Sequence, residues 1–246
     1  IRAGLRLLLF TMGISFYLIR YFIKVPMMGM DLDRGLRLRK EFLRQLIPLL
    51  GVRIQESGSP PESPGIYVSN HRSYFDPVVV LARIKACPVA KAEVRNWPLI
   101  GLALKASGVF FVDRNNQHSR RRTRDEIGKL FTRGFGILIY PEGTTHANQL
   151  TIDFKKGVFK EASAIGASIY PIAIEYKAIE DAWIGDDTFF RHFFARFGFP
   201  QTNVRISYGP ELFSTHSFEL HEKARQWIDK ELAHMQQNWS EFEYAS

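Results

Sequence analysis

Cysteine is nearly absent from the sequence, which has one, Cys87, among 246 residues. A single cysteine excludes an intrachain disulfide and any zinc or iron–sulfur site built from several thiolates. It is also consistent with a reducing compartment that faces the cytosol. The remaining composition is balanced, because hydrophobic residues make up 46% and charged residues 24% of the chain. This composition indicates a globular protein that is long enough to bury a sizeable core.

Four frequent catalytic motifs are missing as well. The chain has no G-x-S-x-G nucleophile elbow, no G-x-x-x-x-G-K-[ST] phosphate loop, no G-x-G-x-x-G dinucleotide fingerprint and no H-E-x-x-H zinc helix. His221 precedes Glu222 but lacks the second histidine that a zinc helix needs. A covalent serine hydrolase, a P-loop enzyme and a nicotinamide enzyme are therefore disfavoured. We expect neither a metal site nor a bound cofactor.

The N-terminus lacks an uncharged run long enough for a simple bilayer crossing. Residues 7–19 form an uncharged run of 13 residues between Arg6 and Arg20, and a crossing needs about 20. Positive charge on both sides gives no bias in orientation. We therefore expect a helix, or half of a helical hairpin, that enters one leaflet of a membrane. A full crossing, a signal peptide and an ordinary buried helix are the alternatives.

Acidic residues are outnumbered, since 33 Lys and Arg against 25 Asp and Glu give a formal charge of +8. Residues 31–50 repeat apolar side chains at three- and four-residue steps among basic ones. This pattern is typical of a basic amphipathic helix that lies on anionic lipid or packs on the domain. Residues 57–64 are rich in serine and proline and predict a boundary. We expect N-terminal membrane-anchoring helices over residues 1–56 and an α/β domain over residues 65–246.

Beyond residue 65, short apolar segments alternate with amphipathic ones. The segments with strand character are residues 66–69, 88–91, 109–112, 136–140, 169–176 and 204–208. Those with helical character are residues 77–85, 119–132, 156–167 and 217–236. This alternation predicts an α/β fold with a largely parallel central sheet flanked by helices, preceded by the N-terminal membrane-associated helical segment.

A histidine and an aspartate five positions apart, His71 and Asp76, lie between a predicted strand and a predicted helix. Open α/β sheets bind their ligands at such junctions. Asp76 before Pro77 is typical of a helix N-cap followed by a first-turn proline. The spacing also lets the carboxylate hold one ring nitrogen of His71 and raise the basicity of the other. Spacing alone favours the other interpretation, a capping aspartate with a loop histidine that has no role.

Three further stretches follow in order. They are Gly-Val-Phe-Phe-Val-Asp-Arg at residues 108–114, Tyr-Pro-Glu-Gly-Thr-Thr at residues 140–145 and Ile-Tyr-Pro-Ile-Ala at residues 169–173. Phe-Lys-Lys-Gly at residues 154–157 adds another. With the H-x4-D motif, these stretches resemble the glycerolipid acyltransferase family over about residues 66–210. The resemblance implies transfer of a fatty acyl group from acyl-CoA or acyl-carrier protein to the hydroxyl of a lyso-lipid, first of all 1-acylglycerol-3-phosphate, giving phosphatidic acid.

The resemblance also implies roles for particular residues. His71 is similar to the family's general base and Asp76 to its orienting partner. Arg114 is similar to a residue that grips the acceptor headgroup, and Pro171 belongs to a block linked to the acyl donor. The other expected substrate-binding residues are Asn70, Arg72, Lys91, Glu142, Gly143, Thr144, Thr145 and Lys156. Backbone amides at residues 70–74 or at Gly143 are the expected donors to an oxyanion.

One position departs from the family's pattern. The family usually carries arginine after Glu-Gly-Thr, and this chain has Thr145 followed by His146. The missing guanidinium removes a bidentate phosphate clamp. Arg72, Arg114 or a lysine at residues 155–156 is a candidate replacement. The departure keeps two alternatives open, a lyso-amino-lipid O-acyltransferase of the lyso-ornithine-lipid type and a non-catalytic lipid-binding protein of the same fold.

The expected partners are a lyso-lipid, the acyl donor and a membrane surface, at the cytoplasmic face of the cell membrane. A basic run at residues 119–124 raises the question of nucleic acid. It has no interleaved aromatic residues, so we do not expect nucleic-acid binding. An aromatic-rich stretch at residues 183–199 is open to three interpretations: core packing, the wall of a substrate tunnel, or a second membrane contact.

Overall fold

The computed structural model describes residues 1–28, 32–97, 100–106, 108–113, 117–185, 187–237 and 239. Its helices are α1 Arg2–Met28, α2 Leu32–Leu49, α3 Asp76–Leu81, α4 Ile100–Ala106, α5 Gln117–Thr132, α6 Gly157–Ile165, α7 Phe189–Arg196 and α8 Ser217–Met235. Its strands are β1 Val52–Ser57, β2 Ile66–Ser69, β3 Ala86–Lys91, β4 Phe110–Val112, β5 Gly136–Ile139, β6 Ile169–Tyr176 and β7 Thr202–Tyr208. Short 3-10 helices lie at Ala92–Asn96 and Ile179–Asp181.

The strands form one seven-stranded sheet in the order β1-β7-β6-β2-β5-β3-β4. From β6 to β4, every strand is parallel to its neighbour. Strand β7 runs antiparallel to β6, and β1 pairs in parallel with β7. The predicted α/β fold with a largely parallel central sheet is therefore confirmed.

Strand β2 shows how the core is divided. All four of its residues are buried, as expected for a central strand that is covered on both faces. Ile66 and Val68 pack in the cluster that contains α5, α6 and α8, whereas Tyr67 packs in the cluster that contains α2, α3 and α7. Because side chains alternate along a strand, helices on both faces of the sheet share the burial of β2.

The sheet includes residues that the sequence analysis assigned to the N-terminal helices. Strand β1 pairs with β7, with Val52 opposite Thr202, so the boundary expected at residues 57–64 lies inside the α/β fold. Gly51, at φ +72, makes the turn from α2 into this strand. Strand β1 could not be recognised from an apolar run, because it is an edge strand in which only Val52 is buried.

Helix α2 packs on the domain, which was one of the two expectations for residues 31–50. Leu36, Leu43 and Leu46 are buried on its inner face. Arg39 is buried with them, and its guanidinium donates to the backbone oxygen of Ala86. Burial lowers the pKa of Arg39 to about 10, so this arginine stays charged at neutral pH. One of the basic residues of the amphipathic pattern thus faces inward.

Helix α1 has an anchored inner side and an exposed apolar outer side. Arg6 is buried and donates to the carbonyl oxygens of Phe197, Phe199 and Pro200 at 3.0, 2.5 and 2.7 Å. The exposed apolar side chains of α1 include Leu5, Leu8, Met12, Phe16, Ile19, Phe22 and Ile23. By length and composition, Arg2–Ile23 passes the test for a membrane-crossing helix, a test that buried core helices and signal sequences also pass.

Candidate functional site

The loop between β2 and α3 lies at the carboxyl end of a central parallel strand. Asn70 leaves the strand with its side chain turned toward β6. Its amide nitrogen donates to the Ile174 carbonyl, and its amide oxygen accepts from the Ile174 N–H, both at 2.9 Å. Because a buried amide that makes both bonds has one orientation, Asn70 fixes where the loop starts. His71 follows at the position where α/β sheets bind ligands.

Asp76 is fully buried and is surrounded by donors. Its Oδ2 accepts from the backbone N–H groups of Arg72 and Ser73 at 2.6 and 2.9 Å and lies 2.7 Å from His71 Nδ1. Its Oδ1 accepts from the Tyr176 hydroxyl at 2.7 Å. The pKa of Tyr176 is raised, mainly by burial and secondly by the negative charge of Asp76. The phenol therefore keeps the proton that it donates.

The expected role of Asp76 as an N-cap is wrong. Helix α3 begins at Asp76 itself, and Phe75 occupies the N-cap position. The carboxylate turns back on the amides that precede it, because these amides and Tyr176 converge on it. The H-x4-D spacing therefore closes a loop around the aspartate, whose carboxylate accepts bonds from this loop and from β6.

The His71 ring is oriented by contacts on its edge and on its face. The Asp76 carboxylate holds Nδ1, which assigns the proton to Nδ1 and leaves the lone pair on Nε2. Tyr140 stacks on the imidazole with ring centroids 4.1 Å apart and an angle of 21° between the planes. The side chain is 17% exposed and lines a cavity. An oriented ring with one basic nitrogen can accept a proton from a bound hydroxyl.

The cavity has a volume of about 540 Å³, and its wall is mostly apolar. Its apolar wall comes mainly from α1, α2, α4 and α7. It includes Phe10, Ile14, Phe42, Leu43, Leu46, Ala103, Leu104, Phe189, Phe193 and Phe197. Its polar lining includes His71, Lys91, Glu93, Gly143, Thr144 and Thr145. The cavity thus combines room for a hydrocarbon chain with a basic imidazole.

The turn after β5 lies against a cation, the Lys155 ammonium group, beside Gly143 of the cavity lining. Gly143 has φ +76, and a methyl group on its α carbon would collide with the Lys155 ammonium group. The Lys155 N–H also donates to the Pro141 carbonyl at 2.9 Å. Glycine is therefore favoured here by the left-handed backbone conformation, and its small size also leaves room for the lysine.

Comparison with protein families identifies the chain at this point. The profile of the Acyltransferase family matches residues 51–175, half of the sequence. The chain belongs to the Acyltransferase family. The resemblance that the sequence motifs indicated is therefore confirmed at the level of the family.

Individual relatives are similar to this chain over part of their length. Lyso-ornithine lipid O-acyltransferase of Pseudomonas aeruginosa is 32% identical over 161 residues, 63% of this chain and 62% of that protein. 1-acyl-sn-glycerol-3-phosphate acyltransferase alpha of Homo sapiens is 31% identical over 132 residues, 51% of this chain and 47% of that protein. The chain thus spans less than two thirds of the length of these two relatives.

A solved structure extends the likeness to nearly the whole fold. The crystal structure of the 1-acyl-sn-glycerophosphate acyltransferase PlsC from Thermotoga maritima matches with a TM-score of 0.69, covering 96% of this chain and 99% of that one. At 18% sequence identity, this match shows that the two proteins share a fold.

Several residues that the acyltransferase motifs singled out meet at the cavity. His71, Lys91, Gly143, Thr144 and Thr145 all line it. The Thr145 hydroxyl, however, donates to the Trp183 carbonyl. The structure therefore brings the H-x4-D motif and the stretch at residues 140–145 together around one cavity, although His71 and Thr145 are far apart in the sequence.

Other predicted residues lie elsewhere. Pro171 is buried inside β6, opposite Val68, and is not among the cavity-lining residues. Lys156 is exposed at the N-terminus of α6. Arg114 lies outside the described residues. The headgroup contact expected of Arg114 and the donor contact expected of Pro171 thus stay predictions.

Arg72 does not present its charge to the cavity. It is 2% exposed, and its guanidinium donates to the Gln149 carbonyl at 3.0 Å and pairs with Glu175 at 3.1 Å. Glu142 is also buried and accepts from the His71 N–H at 2.5 Å. Both side chains hold loops together behind the cavity wall, because their polar atoms are directed at protein partners. Arg72 is therefore not a replacement for the missing family arginine in this structure.

Two tyrosines to which the sequence analysis assigned no role contribute to the site. Tyr140 directly precedes Pro-Glu-Gly-Thr, so its place in that block was a usable signal. Tyr176 meets Asp76 across a separation of 100 residues, and no local pattern indicates that contact. Tyr140 stacks on the face of the His71 imidazole, and Tyr176 holds Oδ1 of Asp76.

The aromatic stretch at residues 183–199 divides between the cavity and the surface. Trp183, Phe189, Phe193 and Phe197 line the cavity, whereas Phe190, Phe194 and Phe199 are exposed. Trp183 is also tied to the His71 loop, because its backbone N–H donates to the Arg72 carbonyl at 2.9 Å. Two of the three expectations, core packing and a cavity wall, therefore describe the members of this stretch that face inward.

Metal-binding side chains do not gather in the part of the chain that the structure describes. No group of three or more His, Cys, Asp and Glu residues there is arranged to hold an ion. His71 itself is directed at a carboxylate and a tyrosine ring.

Proposed function

We propose that this protein transfers a fatty acyl group from a thioester to the hydroxyl of a lyso-lipid, with His71 as the general base. The observation that carries this proposal is the His71–Asp76 pair, in which the buried Asp76 orients a histidine that lines a mostly apolar cavity. Membership of the Acyltransferase family supports the reaction class. A lipid-binding protein without activity has no need of a buried carboxylate that fixes one ring nitrogen.

The proposed reaction begins when His71 Nε2 takes the proton of the acceptor hydroxyl. The hydroxyl oxygen attacks the thioester carbonyl carbon and forms a tetrahedral intermediate. When this intermediate collapses, the carbon–sulfur bond breaks, and the imidazolium returns the proton to the thiolate. General-base catalysis of this kind contributes about 10²–10⁴-fold. Asp76 keeps the ring oriented and stabilises the imidazolium.

Most of the backbone amides that the sequence suggested as donors to the oxyanion already donate to other groups. The N–H groups of His71, Arg72 and Ser73 already donate to Glu142 and Asp76. The Gly143 N–H donates to the Tyr140 carbonyl at 3.1 Å. We therefore assign the oxyanion to the neighbourhood of Gly143, which lines the cavity and has the Lys155 ammonium beside it.

The acyl donor is expected to be a thioester of coenzyme A or of an acyl-carrier protein. Its hydrocarbon chain fits the apolar part of the cavity, where burial of each methylene contributes about 0.8 kcal/mol. The thioester carbon then lies beside His71, because the imidazole is part of the same wall.

Two acceptor classes follow from the polar lining. Lys91 on the cavity wall and Lys155 beside Gly143 favour the phosphate of 1-acylglycerol-3-phosphate, the acceptor that the motifs put first. Thr145 in the arginine position and the buried Arg72 favour a lyso-amino-lipid. The name of the Pseudomonas relative, lyso-ornithine lipid O-acyltransferase, supports this second class. A panel of lysophosphatidic acid, lysophospholipids and lyso-amino-lipids with one labelled thioester decides between the two.

We also propose that α1 and α2 anchor the protein to the cytoplasmic face of the cell membrane. The outer side of α1 carries exposed apolar residues, whereas its inner side lines the cavity. A helix that is apolar on both sides in this way can enter one leaflet with its outer side while the cavity stays next to the lipid. The lyso-lipid can then reach His71 from the membrane.

The proposal is tested by His71→Ala in a thioester-dependent transfer assay. We expect a loss of about 10²–10⁴-fold in kcat, with the melting temperature close to that of the unaltered protein because the ring is partly exposed. His234→Ala is the matched control, since His234 is exposed on α8. A folded His71→Ala protein with normal transfer contradicts the assignment. Binding of the thioester without turnover by the unaltered protein supports the lipid-binding alternative.

A further inference from the structure

We propose that His146 is a positioning residue that holds the His71 loop in place through Glu142. The inference rests on the proposed function, in which His71 is the base. His146 follows the Glu-Gly-Thr-Thr stretch, is buried and is not among the cavity-lining residues. It therefore acts on the reaction through other side chains.

The link from His146 to His71 consists of two charge-assisted hydrogen bonds. His146 Nε2–H donates to Glu142 Oε1 at 2.7 Å. The other carboxylate oxygen, Oε2, accepts from the His71 backbone N–H at 2.5 Å. The His146 N–H also donates to the His71 carbonyl at 3.2 Å. Both backbone polar groups of His71 are thus held by the segment 142–146.

The other ring nitrogen of His146 fixes which way the ring faces. Nδ1 lies 3.2 Å from the Asn148 N–H and 3.2 Å from Arg72 Nη1. Both partners are donors, so Nδ1 carries the lone pair and the proton is on Nε2. Arg72 is held in turn by Glu175. A neutral imidazole meets the two demands at once, a donor toward Glu142 and an acceptor toward Arg72.

Loss of the donor at Nε2 leaves Glu142 Oε1 with a longer bond, the one from the Ile152 N–H at 3.3 Å. A buried carboxylate that is held less firmly can rotate away from the His71 N–H. A displacement of about 1 Å at a reacting group can cost about 10²-fold in rate. His146 therefore contributes to catalysis by keeping Nε2 of His71 at its reacting position.

Two substitutions separate the two bonds of His146. His146→Gln carries an amide nitrogen at about the distance of Nε2, so it can keep the bond to Glu142. His146→Asn carries an oxygen at about the distance of Nδ1, so it can keep the bonds from Asn148 and Arg72 and loses Glu142. We expect kcat to fall about tenfold to a hundredfold in His146→Asn and less than about threefold in His146→Gln, with KM for the thioester unchanged in both.

A spectroscopic readout tests the link without any assay of transfer. Histidine labelled with 15N gives one backbone amide signal for each of the seven histidines, and His71→Ala assigns the signal of His71. We expect this amide proton to shift upfield in His146→Asn, because its short bond to Glu142 lengthens, and to stay in place in His146→Gln.

The outcomes distinguish this inference from the proposed function. Equal losses of kcat in the two His146 variants, in proportion to their melting temperatures, mean that His146 only stabilises the fold and overturn the inference. An unmoved His71 amide signal in a folded His146→Asn protein also overturns it. If His71→Ala is fully active while the amide signal shifts as expected, the proposed base is wrong and the structural link stands.

Discussion

The polar corner and the apolar cavity differ in how their side chains are held. By the polar corner we mean His71, Asp76, Glu142, His146 and Tyr176. In this corner, hydrogen bonds at 2.5 to 2.7 Å run from one side chain or backbone group to the next. The cavity wall is made mainly of side chains that touch without directed bonds. We therefore expect substitutions in the corner to act nearly as all-or-none changes and substitutions in the wall to act gradually.

Helix α1 repeats this contrast on a smaller scale, within one element. Phe10, Ile14 and Tyr17 face the cavity, whereas Leu8 and Phe16 lie on the exposed side. The inner side chains shape a space for a hydrocarbon chain, and the outer ones are available to lipid. One helix thus serves two apolar environments, and substitutions on its two sides should affect different measurements.

The largest effect is expected in the polar corner, from Asp76→Asn. An amide oxygen can keep the bonds from the backbone and from His71, but it carries no charge to stabilise the imidazolium. We expect kcat to fall by about 10³–10⁴-fold, with a moderate loss of stability because one oxygen becomes an amide nitrogen beside Tyr176. Transfer kinetics and thermal unfolding measure the two effects. A loss below about tenfold would show that the corner tolerates gradual change.

An intermediate effect is expected on the outer side of α1, from Leu8→Glu. Leu8 is 54% exposed, so the fold does not depend on it, but a charge there opposes entry into a leaflet. Burial of a leucine contributes about 1.5–3 kcal/mol, so we expect binding to anionic vesicles to weaken about tenfold to a hundredfold. Vesicle sedimentation measures this partition.

The matched control for Leu8→Glu is Leu150→Glu, in a loop of the α/β part where Leu150 is 45% exposed. We expect the control to bind vesicles as the unaltered protein does. Equal weakening by the two variants would mean that α1 has no special role at the membrane surface.

The smallest effect is expected in the cavity wall, from Ala103→Phe. The larger side chain takes up space at α4 and shortens the chain that fits. Loss of about two methylenes, at about 0.8 kcal/mol each, predicts a shift of roughly tenfold in kcat/KM toward shorter acyl thioesters. Ala195→Phe, at an exposed position of α7, is the control. A uniform loss across all chain lengths would show that this part of the wall does not measure the chain.

Much of the sheet could be predicted because its central strands are buried on both faces. Strands β2 and β6 are mostly apolar in sequence, and both are wholly buried. Strand β1 was missed because its edge position lets most of its residues stay polar. The sequence pattern thus reports burial, and it is weakest where an element is half exposed.

The candidate site was predictable where its residues are close in sequence. His71 and Asp76, and the turn with Gly143 and Thr144, were singled out from the order of residue types. The pairing of Arg72 with Glu175 across 103 residues had no local signal. Arg72 was therefore expected in the cleft, whereas burial and carboxylate pairing direct it into the protein.

The order of residues by itself determined the α/β class, the H-x4-D spacing and the family, because these depend on local periodicity and on contiguous motifs. The tertiary structure decided which charges reach the cavity and which are buried behind it. It also decided that Tyr176, Glu142 and His146 support the His71 loop. These outcomes depend on hydrogen bonds between strands and loops far apart in the chain, and such bonds are satisfied only once the whole sheet has assembled.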